Sequence, residues 1–117
     1  MDQTYRVIAA WTASYPDPVR ADAGEAVRLT GRRDVWEGHL WLWAVDTAGR
    51  EGWVPEALFE ITGDRAVART GYAAVELSCA EGTVLTGTRA VQGWIWCRTE
   101  DGTEGWVPQR CLKAGED

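Results

Sequence analysis

Gly52-Trp53-Val54-Pro55 returns as Gly105-Trp106-Val107-Pro108, 53 positions later. Upstream of each copy stands a second match at the same interval, Trp41-Leu42-Trp43 and Trp94-Ile95-Trp96. Both matches are built on a residue that occurs only 8 times in 117, so together they mark an internal duplication. Further upstream the interval drifts, to 58 between Gly24 and Gly82 and to 61 between Trp11 and Tyr72. Fixed spacing within blocks and drifting spacing between them is what strands joined by unequal loops produce. The second copy therefore has a first loop three residues shorter and a second loop five residues shorter.

Each copy reads as short strands. Tyr5 to Ala9 opens the first, Ala26 to Gly31 alternates through Val27 and Leu29, and Leu40 to Val45 follows. Asp46-Thr47-Ala48-Gly49-Arg50 reads as a hairpin turn before Glu51 to Pro55. The second copy repeats this with Thr83 to Arg89, Trp94 to Arg98, the turn Glu100-Asp101-Gly102-Thr103, and Glu104 to Pro108. No stretch carries a helical period, which leaves room for a single helical turn after each Val-Pro. Thr62-Gly63-Asp64 reads as the linker, placing one domain at residues 1–62 and the other at 63–117.

Strand alternation sorts the side chains. Trp41 and Trp43 share one face, Leu42 and Ala44 the other; Trp94 and Trp96 stand against Ile95 and Cys97 in the same way. A unit of about 55 residues has little interior, so the small and aliphatic set is expected inside. Val54 and Val107 then point inward and turn Trp53 and Trp106 outward. Six outward indoles call for a use, either a binding surface or packing between the copies.

Charge narrows the use. With 12 Lys+Arg against 18 Asp+Glu the net charge is -6, which excludes a phosphate-tracking nucleic-acid binder. No apolar run approaches the roughly 20 residues that span a bilayer, so no membrane contact is expected. The opening Met1-Asp2-Gln3-Thr4-Tyr5-Arg6 lacks the basic and apolar regions of a signal peptide. The expectation is a cytoplasmic chain with reduced cysteines.

The blocks resemble the Src homology 3 (SH3) domain, twice over. The first copy matches the family pattern with Val7-Ile8-Ala9-Ala10-Trp11, Gly24-Glu25-Ala26-Val27-Arg28-Leu29, Trp41-Leu42-Trp43-Ala44, Gly52-Trp53-Val54-Pro55 and Leu58-Phe59-Glu60-Ile61. The second matches with Ala68-Arg69-Thr70-Gly71-Tyr72, Glu76-Leu77-Ser78, Gly82-Thr83-Val84-Leu85, Trp94-Ile95-Trp96-Cys97 and Gly105-Trp106-Val107-Pro108. Tyr-Pro-Asp-Pro at 15–18 and the Trp-Val-Pro strands look like the small tandem SH3 proteins of bacteria. The Leu-Asn-Val-Arg opening of the exported cell-wall group is absent.

The resemblance implies an all-β fold of two small SH3-like five-stranded β-barrels in tandem. It also implies a protein or peptide ligand, proline-containing, laid as a polyproline II helix over an aromatic groove. Carried over by position, the groove indole is Trp41 or Trp94, backed by Pro55 or Pro108, with Trp11 or Tyr72 as the second aromatic. First-loop acids, Asp17 and Asp22 in the first copy and Glu76 in the second, would pair with a ligand Arg or Lys. Two departures stand out. The first groove tyrosine is Ala9 or Thr70, and the tyrosine of the single turn is Leu58 or Cys111. The outer proline pocket is thus missing from both copies, which favours a shorter or different peptide.

In the longer loops of copy one, Tyr15, Asp17 and Trp36 could replace that lost surface, which makes copy one the expected better binder. Arg32-Arg33-Asp34-Val35-Trp36-Glu37 is a mixed-charge loop in which Trp36 and Glu37 could form a specificity edge.

Chemistry is not expected. Cys79, Cys97 and Cys111 form no close pair and read as small buried hydrophobes, not metal ligands. His39, the only histidine, reads as a solvated loop residue. Neither a phosphate loop nor a buried acid pair is present, so no catalytic residue and no cofactor is assigned. The reading is a non-enzymatic peptide interaction module. Its alternative is a structural double barrel, or a homodimer, whose tryptophan faces are packed and bind nothing.

Overall fold

A computed structural model describes residues 2–115. Twelve strands carry the fold: β1 (Gln3–Val7), β2 (Arg20–Ala21), β3 (Ala26–Trp36), β4 (His39–Val45), β5 (Glu51–Pro55), β6 (Phe59–Thr62), β7 (Arg65–Ala68), β8 (Tyr72–Ala73), β9 (Val84–Val91), β10 (Trp94–Arg98), β11 (Glu104–Pro108) and β12 (Leu112–Ala114). Helix among the described residues is limited to two single 3-10 turns, Glu56–Leu58 and Gln109–Cys111, one after each Val-Pro. The fold is all-β, as the sequence implies.

The strands form two five-stranded sheets, ordered β5-β4-β3-β7-β6 and β11-β10-β9-β1-β12, and a separate β2-β8 pair. The two orders correspond strand for strand, with one exchange. β1, from the first repeat, lies between β9 and β12 of the second. β7, from the second repeat, lies between β3 and β6 of the first. The compact units are accordingly Tyr15–Ala74 and the combination of Met1–Ser14 with Val75–Asp117. Sequence repeat and compact unit do not coincide: the break between residues 62 and 63 falls inside a unit.

The reason lies in Thr62-Gly63-Asp64, which is a hairpin turn rather than a linker. Thr62 pairs directly with Arg65, and Gly63 sits at φ +62, the positive region that tight hairpin turns require. The carbonyl of Asp64 accepts from the Leu29 amide at 2.6 Å. A turn this short folds the chain straight back, so the last strand of repeat one receives the first strand of repeat two.

Within Tyr15–Ala74 the core is Val19, Val27, Ala44, Val54, Phe59, Ala66 and Ala68, each at most 2 % exposed. In the other unit Val7, Leu77, Leu85, Ile95, Cys97, Val107, Cys111 and Leu112 form one cluster, with Tyr5, Trp11 and Cys79 packed against it. Cys97 stands fully buried where the other sheet has Ala44. Small and aliphatic groups dominate these interiors, with Phe59 as an aromatic member of the first, and each fully buried Val contributes about 1.5–3 kcal/mol.

Three local expectations are corrected. Arg32 to Trp36 continues β3 instead of looping; the chain turns at Glu37-Gly38, with φ +53 and +81. The matching turn, Gln92-Gly93, has φ +46 and +89, so copy one differs by a taller hairpin, not a longer loop. His39 opens β4 opposite Trp36 and is exposed. The tryptophans are not outward-exposed either. Trp41 and Trp106 are buried, and the other indoles of the repeats are half-buried because they pack edge-to-face on one another.

The β4–β5 turn is held by Asp46, buried among backbone donors. Its carboxylate accepts from the amides of Ala48, Arg50 and Arg20 and from Arg50 Nε at 2.9 Å. Burial pushes this carboxyl up. The amide bonds from Arg20 and Arg50, the Arg50 side chain and the Ala48 amide outweigh it and hold the pKa below 3.8.

Candidate functional site

In the unit that combines the chain start with Val75–Asp117, Trp94 stands directly opposite Pro108 in the β10–β11 ladder. Trp11 meets Trp94 edge-on, with ring centroids 5.4 Å apart and planes at 82°. Trp11 is fixed from behind: its Nε1–H donates to Glu76 Oε1 at 3.0 Å. The same oxygen accepts from the Ser14 amide at 3.2 Å and its hydroxyl at 3.3 Å. Two half-buried indoles at right angles, braced by a carboxylate, make a rigid apolar corner.

This corner reassorts the expected residues. The expectation puts Trp11 beside Trp41; it lies beside Trp94, because it follows the exchanged strand β1 and bridges to Cys79. Glu76, expected to meet a ligand cation, braces Trp11 instead. Pro108 and Pro55, the cross-strand neighbours of the two indoles, are each under 2 % exposed and offer no contact surface of their own.

In Tyr15–Ala74, Trp41 stands opposite Pro55. Trp41 is 9 % exposed and Tyr72 7 %, and the Tyr72 hydroxyl donates to the Trp53 carbonyl at 2.9 Å. Tyr72 also packs edge-on against Phe59, centroids 5.9 Å apart. These two aromatics are structural in effect. The accessible rings lie two residues along both strands, where Trp43 and Trp53 face each other at 5.1 Å and Tyr15 meets Trp43 at 5.6 Å. Asp17 pairs with Arg20 at 3.3 Å on the surface, a contact of little weight. Asp22 and Glu37 are exposed, and Trp36 is half-buried at the end of β3.

Sequence reasoning missed Trp43 and Arg32 as site residues. Alternation puts Trp43 on the face of Trp41, but its neighbour across the sheet follows from register, and register is not a local signal. The guanidinium of Arg32 lies 4.6 Å from the Trp43 ring centre and 4.9 Å from that of Trp53.

Cys97 and Cys79 are held as neutral thiols. Burial pushes Cys97 up to about 12 and also raises Cys79. No group of three His, Cys, Asp or Glu able to hold a metal ion occurs among the described residues.

The variant SH3 domain family matches the chain twice, over residues 4–62 and 57–114. The matches follow the sequence repeat and together span nearly the whole chain. The chain belongs to the variant SH3 domain family. No curated protein and no solved structure matches it.

Proposed function

We propose that this tandem SH3 protein is a non-enzymatic interaction module that binds proline-containing or basic peptide segments, with Trp94 and Trp11 as its main contact. SH3 domains are in general protein-interaction modules. The observation that carries the reading is the right-angled pair Trp11–Trp94, with buried Pro108 as the cross-strand neighbour of Trp94. Flat indole faces stack on pyrrolidine rings, and a polyproline II ligand has little backbone entropy left to lose. Trp41 was the expected anchor. Its burial, with that of Tyr72, favours the Trp94 corner instead.

Panning a displayed library of short proline- and arginine-containing peptides against the intact protein tests this. Enriched peptides should lose binding to Trp94→Ala and keep most of it with Trp41→Ala, both variants being folded by circular dichroism. Absence of any enriched peptide would favour the structural alternative, which the burial of Trp41 and Trp106 supports. In that case tryptophan emission should be blue-shifted and protected from acrylamide.

A further inference from the structure

One row of the sheet in Tyr15–Ala74 sets two arginines side by side. Arg28 of β3 stands directly opposite Arg65 of β7, and on its other flank it faces Val45 of β4. Directly opposite residues hold their Cβ atoms about 5 Å apart on one face of the sheet, and like charges placed so repel. Both arginines are exposed, and neither forms an ion pair among the described residues. The sheet thus carries two adjacent guanidinium groups with no carboxylate paired to either.

The equivalent row of the other sheet shows that the architecture does not require them. Strands β9, β1 and β10 correspond to β3, β7 and β4, and buried Leu85 and Val27 fix the alignment. There Thr86 stands opposite Thr4 on one side and Arg98 on the other. Two threonines in the places of Arg28 and Arg65 make an ordinary favourable pair, and Arg98 approaches Asp2 at 4.0 Å. A repulsive pair where a neutral one suffices points to a ligand.

The arginine pair opens into a cleft of about 350 Å³ beside the β6–β7 turn. Ala26 and Val45 give the cleft half-buried apolar walls, and exposed Thr47 adds a hydroxyl at its rim. Two acids also border it. The Asp46 carboxylate is already engaged by the amides of Arg20, Ala48 and Arg50 and by Arg50 Nε. That leaves Asp64, exposed in the turn, as the acid that opposes an incoming anion.

We propose that Arg28 and Arg65 clamp a phosphoryl group carried by a small molecule, free phosphate or a phosphate monoester. Such a group bears close to two negative charges at neutral pH and three acceptor oxygens, which matches two guanidinium groups of five donors each. A carboxylate has a single charge and would leave one arginine unmatched. The site takes an anion, so it goes beyond the basic-peptide reading and does not rest on it. None of its residues belongs to the Trp94 corner.

The test is a titration of the intact protein with phenyl phosphate at fixed ionic strength, followed on the backbone amide resonances of residues 26–28, 45–47 and 64–65. Inorganic phosphate and benzoate are the comparison anions. Saturable shifts are expected, with phenyl phosphate binding about threefold or more tighter than benzoate. Tighter binding of phenyl phosphate than of inorganic phosphate assigns the site to an ester, and equal midpoints assign it to the free anion; both uphold the clamp. Arg28→Thr and Arg65→Thr, which install the residues of the other sheet, should each weaken binding about tenfold or more, and Asp64→Asn should strengthen it about twofold to threefold. The double Thr variant should lose the shifts while melting no lower than wild type, because a repulsive pair is gone. Benzoate binding as tightly as phenyl phosphate would overturn the phosphoryl assignment. So would an unchanged midpoint in the double variant, or no saturable shift in wild type up to about 50 mM. A double variant melting well below wild type would make the pair structural and overturn the proposal.

Discussion

Gly52 and Gly105 stand before the same Trp-Val-Pro, yet their missing side chains matter to different degrees. A Cβ on Gly105 would lie 2.7 Å from the Leu77 amide nitrogen and 2.8 Å from the Glu76 carbonyl carbon, both backbone. On Gly52 the nearest atoms are the Val19 Cγ1 at 3.1 Å and the Val19 amide nitrogen at 3.3 Å, a shallower overlap that needs a shift of only a few tenths of an ångström. Gly105→Ala should therefore cost about 1–3 kcal/mol and Gly52→Ala less than about 1 kcal/mol, read by urea unfolding. Asp46 adds a pH dependence. Its folded pKa lies below the ordinary value, so its contribution is complete above about pH 4 and is lost as pH falls through the folded value. Asp46→Asn should lose about 1–3 kcal/mol at neutral pH and show a flatter decline in acid. At the contact surface, Trp94→Ala should weaken binding of an enriched peptide by about thirtyfold or more, near 2 kcal/mol, measured by calorimetry.

The hairpin β6–β7 settles which strand joins which sheet, and it marks where sequence reading succeeds and where it stops. Strands β4, β5, β10 and β11 were legible almost to the residue, because Trp-x-Trp and Gly-Trp-Val-Pro alternate cleanly and are bounded by turn residues. The inward set was legible too, with Ala44, Cys97, Val54 and Val107 all fully buried. Strand exchange was not legible. β1 and β7 are short strands that carry no signal of which sheet they join, and the tight turn at Gly63-Asp64 returns β7 beside β6. The site suffered the same way, since Trp11 was placed by its neighbours in sequence and stands with Trp94. Lengthening the β6–β7 turn by about ten Gly and Ser residues should cost about 1–2 kcal/mol from loop closure alone. Unchanged stability in a denaturant titration would mean that β7 is held by its pairing and not by the turn.

Taken whole, the chain is one SH3-type unit with a second inserted between Ser14 and Val75. Tyr15–Ala74 is continuous and contains a complete five-stranded sheet, so this fragment should melt cooperatively by itself, checked by circular dichroism and calorimetry. Fragments 1–62 and 63–117 instead sever the β6–β7 hairpin and should each be less stable than the intact chain; equal midpoints would refute this. The nested arrangement has a mechanical reading as well. Tyr5 pairs with Ala114, and the Gly115 amide donates to the Thr4 carbonyl, so the two outermost strands run side by side in opposite directions. Tension applied through Gln3 and Gly115 would peel β1 from β12 one rung at a time, the weak direction for a ladder. The inserted unit would bear no load until the outer one had opened, giving a force trace with two steps in a fixed order.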